Sequence, residues 1–349
     1  MYTIEPVTVK RRETRLGLYL AEWVVLLSAI VCYGLYDFLG VPFHNLDSMF
    51  LERAGSLFSY YLLALPLTLL VLRLRHLRVS KREGAGVPPI RTTWEHFRAR
   101  FLTMRSLLLD FRALLLCVIL FIVFIELKHL TPFLRSTLFD NRFINHELRL
   151  MGGGKLASEA MLALVGYRLA PLLSEGYFLF YPYVAMLIYL FVLQRDVSLR
   201  AEFLLGLSLC WLFGVLLIYL VPTLGPVFVL DSFNSLPETG VSVMQEKLLR
   251  MRESVLAGRG GVYLISGFPS LHVAITAYGT GMLYRLSPWL SLISLLVLAL
   301  TLVTTLYFGW HYLMDDIGGL VLGFGVAVVV RRYFRPFTVL RRVIHRQQA

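Results

Sequence analysis

Residues 288–315 read PWLSLISLLVLALTLVTTLYFGWHYLMD. From Pro288 to Trp310 no residue carries a charge, and at about 1.5 Å per residue such a run, as a helix, crosses a hydrocarbon core of about 30 Å. At its end stand His311 and, four residues on, Asp315. Ionisable groups at the edge of a membrane are costly to hold, so by default they mark a working site. A second junction of this kind lies upstream, where Gly267-Phe268-Pro269-Ser270-Leu271-His272 leads into another apolar stretch. Together the two junctions supply two imidazoles and a carboxylate.

The rest of the chain has the same texture. Of its 349 residues 57% are hydrophobic and 16% charged, which fits a helical membrane protein far better than a soluble globule. Eight segments are long enough to span, at about 17–39, 57–73, 111–128, 177–193, 202–221, 271–286, 288–308 and 313–330. The expected fold is therefore all-α: a polytopic bundle of about eight transmembrane helices. Residues 1–110 hold two helices and a basic connector, 111–334 a six-helix core, and 335–349 a basic tail. The first segment is too long for the core of a signal peptide and lacks a small-residue cleavage site, so it reads as retained. Cys32, Cys117 and Cys210 are odd in number and lie inside apolar runs, which argues against a disulfide framework.

The net charge of +12 does not point to nucleic acid, because the basic residues cluster between apolar segments rather than forming a binding module. Arg73 to Arg105 holds nine basic residues against two acidic ones, and Lys10, Arg11, Arg12 and Arg15 precede the first span. By the positive-inside rule both are cytoplasmic. Eight crossings return the C-terminus to that side, where Arg331, Arg332, Arg335, Arg341, Arg342 and Arg346 gather. His272, His311 and the loop 222–270 then share the opposite, non-cytoplasmic face, with the chain turning near Arg285 between the two histidines. A surface helix is expected around Trp94–Leu109, and a lid or interfacial helix rather than a ninth span over 131–176. His44, His76, His96, His129, His146 and His345 have no partner spacing and read as surface or interface residues. Trp23, Trp211, Trp289 and Trp310 read as belt or packing residues.

On a helix starting near His311, Asp315 lies one turn along the same face, whereas Asp316 is rotated away by roughly 140°. A carboxylate that holds one ring nitrogen protonated leaves the other free as nucleophile or base. Ser270 is placed as the N-cap of the helix that carries His272. Free amides at that helix start favour an anion such as phosphate, Ser270 can hydrogen-bond a phosphoryl oxygen, and His272 can protonate a leaving oxygen. Gly319-x3-Gly323 reads as a close helix-packing stripe.

These residues resemble the type-2 phosphatidic acid phosphatase superfamily of membrane lipid phosphatases and phosphotransferases. The family's usual Pro-Ser-Gly-His is Pro269-Ser270-Leu271-His272 here, and the Leu, with His311-Tyr312-x-x-Asp315 and Gly318-Gly319, looks more like the inositol phosphorylceramide synthase branch. Val221-Pro222-Thr223-Leu224-Gly225-Pro226 resembles the short proline-containing segment that closes the preceding helix in such proteins. The resemblance covers about residues 111–330. It implies a metal-independent, cofactor-free phosphohistidine mechanism: His311 attacks phosphorus, Asp315 orients it and His272 is the general acid. The substrate it implies is a membrane lipid phosphate or phospholipid, with water or an alcohol as acceptor. Two departures stand out. Thr304-Thr305 occupy the place of the family's Ser-Arg before the nucleophile, and the early Lys-x6-Arg-Pro motif is missing. A cation must come from elsewhere, and Arg259, between Gly258 and Gly260, is the candidate; Lys247, Arg250 and Arg252 are weaker because Glu246 and Glu253 can pair with them. Two other classes remain open on the same residues. One is a metal-dependent hydrolase using His272, His311 and Asp315 as ligands; the other is a lipid transporter whose polar residues line a path.

Overall fold

The computed structural model describes residues 20–43, 46–84, 86–194 and 196–334. Fourteen α-helices, and no strand, are found among them: α1 (Leu20–Leu39), α2 (Leu46–Glu83), α3 (Ile90–Phe101), α4 (Met104–His129), α5 (Thr131–Leu134), α6 (Asp140–Leu150), α7 (Ala157–Val165), α8 (Ala170–Phe178), α9 (Phe180–Val192), α10 (Val197–Leu220), α11 (Gly240–Leu256), α12 (Leu271–Leu283), α13 (Pro288–Tyr307) and α14 (Leu313–Val329). The basic residues at 10–15 and 335–346, and His44 and His345, lie outside the described residues.

Seven stretches are long and apolar enough to cross a membrane: α1, the Ala54–Glu83 part of α2, α4, Tyr167–Val192, α10, α13 and Leu313–Tyr333. They match seven of the eight expected segments. The eighth is α12, and it is only thirteen residues long, about 20 Å, short of a full hydrocarbon thickness. Enclosure explains this. Ten of the thirteen residues are buried, against α9, α10, α13 and α14, and the chain leading into α12 is non-helical. Irregular backbone is tolerated at membrane depth only where protein surrounds it, and Tyr263, Ile265 and Ser270 of that stretch are buried.

Two other boundaries move for local reasons. The surface helix is α3, starting at Ile90, and it stops at Phe101 because Thr103 caps the next helix by accepting the Ser106 amide. Residues 104–110 therefore belong to the span. Over 131–176 the chain forms the short helices α5, α6 and α7, and the following span begins at Tyr167, ten residues earlier than expected.

Helix α4 sets the polarity of the bundle. Its Met104 end adjoins the basic connector, and the charges buried there are paired, as a low-dielectric setting demands. Arg200 meets Asp110 at 3.0 Å, the Tyr61 hydroxyl donates to Asp110 at 2.9 Å, Arg112 pairs with Glu22, and Arg285, in the turn after α12, pairs with Glu202. Its His129 end adjoins the two histidine junctions. Helices α12 and α14 touch along the glycine stripe: a Cβ on Gly319 would strike the Ser270 carbonyl oxygen, and one on Gly323 the Ala274 carbonyl oxygen. The stripe is a packing device, as its spacing implied. Cys32, Cys117 and Cys210 are buried and free.

Candidate active site

Pro222 ends α10 because its ring cannot continue the helix. The segment after it ties the two junctions together. The Thr223 carbonyl accepts the Gly267 amide at 2.7 Å, and its hydroxyl accepts the Phe268 amide at 2.8 Å. On its other side the Val227 amide donates to the Gly309 carbonyl at 2.9 Å. Gly225, at φ +110°, passes so close to the Trp310 carbonyl that a Cβ would collide with it. From α6, the Asp140 carboxylate accepts the amides of Leu224 (3.0 Å) and Gly225 (3.1 Å) and the Tyr312 hydroxyl (2.9 Å). Glu147, two turns further along the same face of α6, accepts the amides of Ala157 (2.7 Å) and Leu313 (2.8 Å). Burial raises the Glu147 carboxyl above the usual range, and the two amides oppose that rise. The stretch expected as a lid or interfacial helix therefore clamps the start of α14.

The structure brings His272, His311, Asp315 and Ser270 together. The two imidazole centroids are 6.3 Å apart, close enough for one bound group to touch both rings. His311 Nδ1 lies 3.4 Å from Asp315 Oδ2, and that oxygen also accepts the Tyr312 amide at 2.9 Å. His311 is 5% exposed. Burial pushes its pKa down to about 4; Asp316 and the Gly267 carbonyl favour the charged ring, while Lys128 opposes it. The imidazole is thus neutral at pH 7, with a lone pair available. His272 Nε2 lies 3.2 Å from the Tyr177 hydroxyl, and its ring rests on Phe180. Ser270 caps α12 as expected, and its own amide donates to the Asp315 carbonyl at 2.9 Å. It is fully buried, with its hydroxyl beside the Asp316 carboxylate.

Arg259 is not brought in. It is exposed on the glycine turn after α11, its amide donating to Ser254, and its guanidinium makes no hydrogen bond or ion pair among the described residues. Arg250 is exposed and pairs with Glu246, as its spacing implied.

Several residues at the site were not singled out from sequence. Asp316, set aside as the poorer partner, accepts the Thr305 hydroxyl at 3.1 Å and acts electrostatically on His311. Thr305, where a family Arg was missing, is therefore a donor holding that carboxylate. Trp310, read as packing, stacks on Tyr177 with ring centroids 5.8 Å apart, and its buried Nε1 has no partner among the described residues; the same holds for one oxygen each of Asp315 and Asp316. Such orphaned atoms are rare in a satisfied core. His129, read as a surface or interface residue, is 2% exposed and accepts the Tyr263 amide at 2.9 Å. Lys128, beside it, acts electrostatically on both site histidines. An ionisable residue closing an apolar run was the signal available for Lys128. Asp140 and Glu147 gave none, because their partners are remote in sequence.

Between α10 and α14 runs an apolar groove of about 540 Å³, lined by Leu209, Phe213, Leu217, Met314, Val321 and Phe268. Its head lies at Phe268 and Met314, sequence neighbours of Ser270 and Asp315. Among the described residues no group of three or more His, Cys, Asp or Glu side chains is arranged to hold a metal ion.

A buried histidine–carboxylate dyad with a second histidine beside it is an arrangement suited to phosphoryl transfer. The chain belongs to the PAP2 superfamily, which matches residues 147–329. No curated protein and no solved structure matches it. Membership supports phosphatase-type chemistry on lipid phosphates.

Proposed function

We propose that this protein cleaves or transfers a phosphoryl group of a membrane lipid phosphate or phospholipid through a phosphohistidine on His311. The observation that carries the reading is the pairing of the neutral His311, held by Asp315, with His272 across 6.3 Å between ring centroids. A ring nitrogen of His311 attacks phosphorus as the bond to the lipid oxygen breaks; His272, neutral in its buried place like His311, takes the proton carried in by the phosphate monoanion and gives it to that leaving oxygen. Asp315 fixes the ring and balances the charge that develops on it. In the second half His272 takes a proton from water or an alcohol, whose oxygen displaces His311, and phosphate or a new phosphate ester leaves. The apolar groove supports a lipid substrate, since a chain lying in it would bring its head to Phe268 and Ser270. Leu271 in the motif supports the transferase branch. The site lies at the end of α4 remote from the basic connector, which supports a non-cytoplasmic active site with cytoplasmic termini.

Purified protein in detergent with EDTA and a lipid phosphate should release inorganic phosphate, and with an added alcohol should form a phosphate ester. Activity that required an added metal would favour the metal-dependent hydrolase. Lipid movement in vesicles without any phosphate chemistry would favour the transporter.

A further inference from the structure

Phosphoryl transfer concentrates negative charge on three oxygens, and amides at a helix start do not balance it alone. The cation expected at Arg259 stands in solvent, and Thr305 fills the place of the family's Arg. Resting on the proposed phosphoryl-transfer site, we propose that Lys128, at the end of α4 and outside the segment matched by the family, supplies the positive charge that binds the phosphoryl group between His272 and His311.

Three observations converge on this residue. First, its neighbours are tied to the two segments that frame the site. The Tyr219 hydroxyl at the end of α10 donates to the Leu127 carbonyl, and His129 accepts the Tyr263 amide from the chain leading to Ser270. Second, Lys128 does not follow the usual course of a lysine at a membrane edge, which extends its ammonium outward to water. The Nζ instead folds back over the ring of Phe124, one turn deeper in the same helix, at 5.8 Å from its centroid. Third, Lys128 forms no ion pair among the described residues, while its charge acts on both His272 and His311. An unpaired ammonium turned into an apolar bundle is costly unless an anion arrives to meet it.

The test uses the full-length protein in detergent, with tungstate as the phosphate analogue and a lipid phosphate for turnover. Lys128→Met should bind tungstate roughly 10- to 100-fold more weakly, in line with loss of a hydrogen bond to a charged group, and should raise KM. Lys128→Arg should recover most of the affinity, and Arg259→Ala should match the unaltered protein. The thermal midpoint of Lys128→Met should not fall, because removing an unpaired, partly buried charge relieves the fold. Wild-type tungstate affinity in Lys128→Met, alongside lost turnover in His311→Ala, would overturn the assignment and leave the phosphohistidine reading standing. A loss of affinity in Arg259→Ala alone would return the role to Arg259. If the unaltered protein neither binds tungstate nor releases phosphate, both readings fall.

Discussion

Replacing Gly319 by Ala tests whether the approach of α12 and α14 builds the site. The added Cβ would overlap the Ser270 carbonyl oxygen and would stand 3.0 Å from Val273 Cβ and 3.2 Å from the Ala274 amide nitrogen. None of these can swing aside: the Ser270 carbonyl accepts the Ala274 amide at 2.9 Å within the first turn of α12. The two helices must therefore separate by several tenths of an ångström up to about 1 Å to restore ordinary contact, an overpacking cost of about 1–3 kcal/mol. The same displacement stretches the 2.9 Å bond from the Ser270 amide to the Asp315 carbonyl and moves His311 relative to His272. Misplacement of reacting groups by about 1 Å can cost about 10²-fold in rate. Turnover of a lipid phosphate in detergent should fall about 10- to 100-fold, while the thermal midpoint falls by only a few degrees. Gly325→Ala is the control, since nothing lies within 4 Å of a Cβ there, and it should be silent. Wild-type turnover in Gly319→Ala would refute the reasoning, because it would mean that the register of α14 on α12 does not set the spacing of the histidines.

Asp140→Asn removes a charged acceptor from two amides and the Tyr312 hydroxyl; turnover should fall about tenfold and stability by about 1–3 kcal/mol, measured by phosphate release and thermal melts. Thr305→Val leaves Asp316 without the hydroxyl that donates to it at 3.1 Å, so kcat should drop about tenfold with little change in the melting midpoint. For pH, His311 has a folded pKa near 4, below the unfolded value of 6.5; the unfolded chain takes up its proton first, so stability is full above about pH 6.5 and declines as pH falls toward 4. The loss amounts to about 3 kcal/mol, and the melting midpoint of His311→Asn should drop less over that interval than that of the unaltered protein.

Much of the fold was legible because hydropathy and length alone identify α1, α4, α10, α13 and α14 as spans. Helix α12 is shorter than its apolar stretch implies for a physical reason: such a stretch reads alike whether lipid or protein surrounds it, and ten of the thirteen residues of α12 are buried. The His311–Asp315 pairing was legible because it is local, one helical turn. Asp316 was discounted by the same ideal-helix geometry, yet both residues lie at the very start of α14, where Thr305 from the preceding helix reaches Asp316. Asp140 and Glu147 were invisible, since their partners lie far along the chain at Leu224, Tyr312 and Leu313. The rule that picks out His311, an ionisable group closing an apolar run, applies equally to Lys128.

The most direct measurement of the central claim is capture of the covalent intermediate. Purified protein is mixed with a ³²P-labelled lipid phosphate, quenched within milliseconds in alkaline detergent to preserve phosphohistidine, and digested for peptide mapping. The account predicts acid-labile label on the peptide containing His311, no label in His311→Ala, and trace label in Asp315→Asn. Lipid phosphate turnover with no label on His311, or turnover that survives His311→Ala in a folded protein, would contradict it.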